Sequence, residues 1–474
     1  DYYGFHMPGH KRKMHMSWDA DPYTVDITEI EGFDDLHHAE GILKEAQERA
    51  ARIYHADETH FLVNGSTVGI LSAIAGVTNK GDQILVARNC HKSVYHAIYM
   101  NELNPVYLYP RFDSELQLNI EISAEDVRRA LNRYPQIRAV MIVSPTYDGI
   151  VSDVAEIAKA AHEKGLPLIV DEAHGAHFGF DPYFPKSANI YGADLVINSL
   201  HKTLPALTQT ALLHVNGDMV KRRKVKQYLD MLQTSSPSYI LMASIDACIG
   251  MLEETLETHS DARSDYKYKN IFSEYANRIE ALRKDLKRLK YLKIIQTDNT
   301  DRYDRSKFVI SVKHAPMSSH ELYEILLHRY HLQMEMLAGT YVLAMTTVGD
   351  TQEGLDRLRD ALLEIDKEID TRQGRPAAIE TDLPLSGRQP ALEKVWTIAE
   401  AVNRRDKIQK RSFEDSIGCI SVEYAYLYPP GSPLIVPGER ITKEAVEILH
   451  WYQEHDFSIE GLQSEDGIEV WIDG

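Results

Sequence analysis

Over residues 60–215 the chain alternates two rhythms. Short runs dense in β-branched and large apolar residues recur: "FLV" (61–63), "QILVAR" (83–88), "PVYLYP" (105–110), "AVMIVSP" (139–145), "LPLIVDEAH" (166–174), "ADLVINS" (193–199) and "TALLHV" (210–215). Between them, apolar residues return at helical spacing. In "SDVAEIAKAAHEKG", Ser152 stands as N-cap, Val154, Ile157, Ala158 and Ala161 form one stripe, and Gly165 stops the helix. Near-continuous apolar runs separated by amphipathic helices predict an α/β fold with a mainly parallel sheet covered on both faces.

The rhythm then changes. Residues 258–290, ending "YANRIEALRKDLKRLK", read as a long helix leaving the sheet. A smaller α/β pattern follows: strand "KFVISVKH" (307–314), helix "SSHELYEILLHRY" (318–330), two short strands around Gly339, and a helix from about 351 to 369. The stretch "TRQGRPAAIETDLPLSGRQP" (371–390) reads as a linker. The prolines of "YLYPPGSPLIVPGE" (426–439) forbid a central strand or helix interior and imply a rigid extended loop. The expected organisation is an N-terminal segment (1–30), a large domain (31–290), a small α/β domain (291–370), the linker, and a C-terminal domain (391–474).

Composition narrows the function. A chain of 474 residues suggests more than one core. A formal net charge of −19 argues against nucleic acid, whose binding rests on clustered Lys and Arg, and suits a cationic small substrate. Cys90, Cys248 and Cys419 are odd in number and far apart, which points to a reducing compartment and a cytoplasmic protein. No segment approaches the roughly 18 apolar residues that a membrane span needs.

Parallel sheets bind ligands at the carboxyl ends of their strands, so the polar residues just after the apolar runs are the candidates. After Phe61–Val63, Gly65 permits a tight turn, and Ser66 and Thr67 open a helix that either cradles a phosphate or is simply capped by them. His91 follows a strand and either stacks on a planar ligand or caps the next helix. Asp171 ends an apolar strand, with His174 and His177 close behind; a carboxylate there needs a cationic or proton-donating partner. "DEAH" also occurs in helicases, but no GxxxxGK[ST] phosphate loop accompanies it, and no third ligand completes a zinc site with the two histidines. Ser199, His201 and Lys202 follow "LVIN". Lysines mostly sit on the surface, yet this one joins the same line of strand ends. A phosphate cradle, a stacking histidine, an acid to keep a ring nitrogen protonated and a lysine to form a Schiff base are what pyridoxal phosphate requires.

The motifs carry a resemblance. "NSLHKTLPALTQTA" resembles the cofactor attachment signature of the prokaryotic ornithine/lysine/arginine decarboxylases. "FHMPGHKR" (5–12), "DITEIEGFDDLHHAEGILKEAQERAA" (26–51), "RNCHKS" (88–93), "SPTYDG" (144–149), "VDEAHGAH" (170–177), "TSSPSY" (234–239) and "YPPGSPLIVPGE" (428–439) follow in the family's order. The resemblance implies the aspartate-aminotransferase-like fold and decarboxylation of a basic amino acid, with arginine ranked ahead of lysine and lysine ahead of ornithine. It makes Lys202 the Schiff-base lysine, puts Asp171 on the pyridine nitrogen and stacks His91 on the ring. It gives Gly65, Ser66, Thr67, Ser199 and His201 to the phosphate, and brings Thr146 and His174 to the cofactor. The form resembled is the short Gram-positive one, without the N-terminal wing through which larger relatives build decamers. The implied assembly is therefore a homodimer with active sites at its interface, where Thr234, Ser235 and Ser236 reach the partner's phosphate.

The resemblance leaves the α-carbon proton to His201 or Lys202, with His174 behind them. For the substrate's distal cation the acids considered are Asp415 and Glu423. The rival is an aminotransferase of the same fold, which would grip the substrate carboxylate with an arginine such as Arg302, Arg305 or Arg329. Thr203, Thr208 and Thr210 read as packing residues.

Overall fold

The structure, a computed structural model, describes residues 2–14, 21–114, 117–257, 268, 270–295, 299, 301–371, 389–404, 406–428 and 432–472. Its centre is a seven-stranded sheet. In chain order the strands are β1 (Glu58–Leu62), β2 (Gln83–Ala87), β3 (Asn104–Leu108), β4 (Ile137–Val143), β5 (Leu168–Asp171), β6 (Leu195–Ser199) and β7 (Ala211–Val215). Their spatial order is β1-β7-β6-β5-β4-β2-β3. Ile84–Ala87, Leu168–Val170 and Leu195–Ile197 have no exposed surface, so both faces of these strands are covered, as their unbroken apolar runs require.

One strand departs from the parallel expectation: β7 is antiparallel to both β1 and β6. Only residues 200–210 separate β6 from β7, too few for the crossover helix a parallel return needs. The helix at Val154–His162 is capped by Asp153, whose side chain accepts the Glu156 N–H, and not by Ser152. The Ser152 hydroxyl accepts the Ile122 N–H at 3.1 Å instead.

The smaller pattern folds as a four-stranded antiparallel sheet, ordered Lys293–Ile294, Lys307–Ser311, Tyr341–Met345, Met336–Ala338. Helix Ile271–Leu286 buries Phe272, Tyr275, Ile279 and Leu282 in one core with Leu355, Leu358 and Leu362 of helix Gln352–Thr371. Residues 258–267 of the expected long helix, and 372–388 of the expected linker, lie outside the described residues. Near the chain end, Ser432–Ile435 is a strand, not only a loop; it pairs with Ala425–Tyr428 at the edge of a three-stranded sheet, with Pro433 opposite Tyr426. An edge tolerates proline because one side of the strand needs no ladder bond.

A buried ion pair joins this terminal region to the central sheet. Arg88, just after β2, meets Glu439 at 2.9 Å, and neither side chain is exposed. The same guanidinium donates to the Leu434 carbonyl at 3.1 Å and lies 4.9 Å from the centre of the Tyr107 ring. The motifs "RNCHKS" and "YPPGSPLIVPGE", far apart in sequence, thus meet at one charge.

Candidate active site

The carboxyl ends of β1, β2, β4, β5 and β6 open into a cavity of about 400 Å³. From β1 it receives Gly65, Ser66 and Thr67; from β2, Asn89, Cys90 and His91; from β4, Thr146, Tyr147 and Asp148; from β5, Asp171 and His174; from β6, His201 and Lys202. Five strand ends therefore supply most of its chemistry, because the carboxyl ends of parallel strands share one edge.

Lys202 sits on the one-turn helix Leu200–Thr203, and its Nζ lies 3.0 Å from His174 Nε2. Burial lowers the amine's pKa below that of ordinary lysine, with Asp171 pulling it back up. Asp171 is 3% exposed; its Oδ1 accepts the Ala173 N–H at 3.1 Å. Burial holds its carboxyl above the usual range, against the pull of Lys202. Burial and the field of Lys202 likewise push His174 well down, and burial lowers His91 to about 4, so both rings are neutral near pH 7.

His91 caps the next helix and also faces the cavity. Its Nδ1 accepts the Ser93 N–H at 3.3 Å as cap of helix Lys92–Met100, while the ring lines the cavity. Ser66 and Thr67 do not cap their helix. The N-cap of Gly65–Val77 is Asn64, which makes no side-chain cap bond, and Ser66 Oγ is hydrogen-bonded to Ser199 Oγ. Gly65 opens this helix at φ +71°, and its N–H donates to the Gln209 carbonyl at 2.9 Å. His201 Nδ1 donates to the Thr210 carbonyl at 2.9 Å, which orients the ring beside Lys202.

These residues fit pyridoxal phosphate on two counts. A helix start without a side-chain cap leaves first-turn amides free for an anion. A deeply buried carboxylate with a single backbone donor wants a positive partner, such as a protonated ring nitrogen.

Other expectations fall elsewhere. His174 and His177 turn to different partners, since His177 Nε2 meets Asp304 Oδ1 at 3.1 Å. Ser235 and Ser236 are exposed and outside the cavity; the neighbouring Thr234 N–H donates to Asn64 Oδ1 at 3.0 Å. Asp415 is exposed in the turn Glu414–Ser416. Glu423 is buried, but its carboxylate accepts the N–H groups of Gln463 (2.9 Å) and Glu469 (2.7 Å). Neither acid lines the cavity, and Glu423 is spent as a brace of the terminal sheets. Thr208 lines the cavity, where the sequence suggested packing. Tyr147, Asp148, Asn119 and Ser432 also line it and were not singled out by sequence; only the motif "SPTYDG" hinted at the first two.

The N-terminal motif straps this site. The Gly9 N–H donates to the His201 carbonyl at 2.7 Å, and the Thr347 hydroxyl donates to the Gly9 carbonyl at 2.5 Å. A Cβ on Gly9 would stand 2.4 Å from the Leu204 carbonyl oxygen, a backbone atom that cannot step aside alone. Gly9→Ala is therefore expected to destabilise the protein by about 1–3 kcal/mol and to loosen the Lys202 turn. A lower midpoint in thermal unfolding, together with faster loss of bound cofactor on dilution, checks it.

Comparison with known proteins agrees with this geometry. A family model described as "Orn/Lys/Arg decarboxylase, major domain" matches residues 1–331, and its C-terminal-domain counterpart matches residues 388–470. An uncharacterized protein of Bacillus subtilis, YaaO, is 38% identical over 455 residues, 94% of this chain and 90% of that one. An arginine decarboxylase of the same species is 31% identical over 454 residues, 94% and 89%. In fold, the chain is similar to the lysine decarboxylase LdcF of Francisella novicida (TM-score 0.77, 19% identity, 93% of this chain and 73% of that one). It is also similar to a serine palmitoyltransferase of Sphingomonas wittichii (TM-score 0.57, 15% identity, 78% and 88%). With the site geometry and these matches in agreement, the chain belongs to the Orn/Lys/Arg decarboxylase family of pyridoxal-phosphate-dependent enzymes.

Proposed function

We propose that the protein decarboxylates a basic amino acid to its amine, with arginine the first substrate, lysine the second and ornithine the third. The observation that carries the decarboxylase reading is a cavity that joins Lys202, Asp171 and His91 and has no arginine among its described lining residues. An aminotransferase would hold the substrate carboxylate with such a residue. Arg302 instead pairs with Asp153, Arg305 lies 5.0 Å from the centre of the Tyr183 ring, and Arg329 is taken by Glu364 and Glu368. A carboxylate left without a cationic partner is poorly solvated and leaves more readily. The ranking of arginine rests on the Bacillus relatives named arginine decarboxylase, at about 30% identity.

Bound pyridoxal phosphate supplies the sink for the electron pair that the departing CO2 leaves behind. The residues do the rest. The uncapped amides at Ser66 and Thr67, with the Ser199 hydroxyl, would hold the phosphate; Asp171 would keep a proton on the ring nitrogen; and His91 would pack against the cofactor ring. Lys202, its amine's pKa lowered by burial, would anchor the cofactor, and the α-carbon proton would come from His201 or from Lys202 once protonated, with His174 Nε2 lying 3.0 Å from the Lys202 Nζ. We further place the protein in the cytoplasm as a homodimer, in which exposed Ser235 and Ser236 of one copy reach the phosphate in the other.

Incubation of the holoenzyme with arginine, lysine and ornithine separately tests this. The expected result is agmatine formed fastest, with one CO2 per amine. Transfer of the amino group to a keto acid without CO2 release would overturn it in favour of the aminotransferase.

A further inference from the structure

The distal cation of a basic substrate needs an acid, and neither acid suggested by sequence is in the cavity. Among the described lining residues the carboxylates are Asp171 and Asp148. Asp171 lies beside Lys202 and serves the cofactor ring. Asp148, two residues after Thr146 in "SPTYDG", is 6% exposed, and its Oδ1 accepts the Tyr341 hydroxyl at 2.6 Å.

Its position is a junction. Asp148, Asn119 and Ser432 line the main cavity and also a second one of about 90 Å³, walled by Tyr341, Leu434, Ile448 and Tyr452. A path therefore runs from Lys202 past the Asp148 carboxylate into an apolar recess, which matches a substrate whose α-carbon, aliphatic chain and terminal cation follow one another.

The carboxylate is also short of a positive partner. No ion pair to Asp148 is present among the described residues, and the nearby Lys307 ammonium faces Asp304 at 3.5 Å. Burial raises the Asp148 carboxyl to about 6, and the Tyr341 hydroxyl, its own backbone N–H and the field of Lys307 only partly offset it. A buried acid with one side-chain hydrogen bond and no ion pair of its own among the described residues gains most from a cation that reaches it directly. Glu335, the next acid, does not line the cavity; it already accepts the Met7 N–H at 2.9 Å and the Tyr147 hydroxyl.

We propose that Asp148 is the residue that binds the substrate's distal cation, at the mouth between the two cavities. The assignment rests on the basic-substrate reading above. It makes Asp148 a specificity residue, with Asn119 and Ser432 beside it and the recess beyond giving room for a planar guanidinium as well as a compact ammonium.

Cadaverine and n-pentylamine differ only in the distal ammonium. Their binding to the holoenzyme is measured by titration of its visible spectrum. Wild-type protein is expected to prefer cadaverine by about 10- to 100-fold, the range of one charged hydrogen bond. Asp148→Asn is expected to bring the preference close to one while retaining cofactor absorption and n-pentylamine affinity. Tyr341→Phe, which removes the tie but leaves the carboxylate, is expected to keep the preference. A preference that survives in Asp148→Asn, or one that vanishes in Tyr341→Phe, overturns the assignment. If wild-type protein prefers neither cadaverine nor agmatine to n-pentylamine, the basic-substrate reading falls first and this one with it.

Discussion

Lys202→Ala is expected to lower decarboxylation by on the order of 10⁴-fold or more, the scale seen when a covalent catalytic residue is removed. The reason is that no other group in the cavity can do its work. Lys202 is the cavity's one lysine among the described lining residues, and burial lowers the pKa of its amine, which lies 3.0 Å from His174 Nε2. The variant should lose the visible absorption of the attached cofactor, and borohydride should fix none to the protein. Two other buried lysines make the test informative. Lys11 is committed to the carbonyls of His6 and Met345, and Lys307 faces Asp304. Borohydride fixation on Lys11 or Lys307 in wild-type protein would refute the assignment of Lys202.

The second large effect concerns stability. Arg88→Met should destabilise the protein by about 3–5 kcal/mol, because it strands the Glu439 carboxylate, which has no exposed surface, without its cationic partner. The double variant Arg88→Met, Glu439→Leu should recover most of that loss, since both charges and their desolvation disappear together. Urea titration followed by tryptophan fluorescence suits the measurement, as Trp396 and Trp471 lie in the terminal region that the pair anchors. Equal losses in the single and double variants would show that the ion pair is not what couples the terminal region to the sheet. His91 lies three residues beyond Arg88, so the single variant should also hold its cofactor less tightly.

Much of the site was legible because parallel strands make strand ends into neighbours. Asp171 and Lys202 are each read as the polar residue following an apolar run, and the sheet places them on one edge. His91 is ambiguous by sequence between capping and binding, and the structure shows it capping the helix with its ring on the cavity. Asp415 and Glu423, by contrast, lie outside the cavity lining. Both were chosen as acids near a recognisable motif, and a carboxylate gives no sign in sequence of whether backbone amides will claim it, as they do Glu423. Asp148 carries no mark in sequence beyond its place in "SPTYDG".

By itself, then, the sequence determined the layered α/β architecture, the strand ends that carry Lys202, Asp171, His91 and Ser66–Thr67, and the family whose motifs they match. Only the tertiary structure decided that β7 runs antiparallel, that Gly9 straps the Lys202 turn, that Arg88 meets Glu439, and that Asp148 stands between two cavities. The division has a physical cause. Apolar periodicity and strand-end chemistry are local, set by residues a few positions apart. The pairing of a buried charge and the shape of a cavity depend on groups hundreds of residues distant, whose meeting is settled only when the whole core packs.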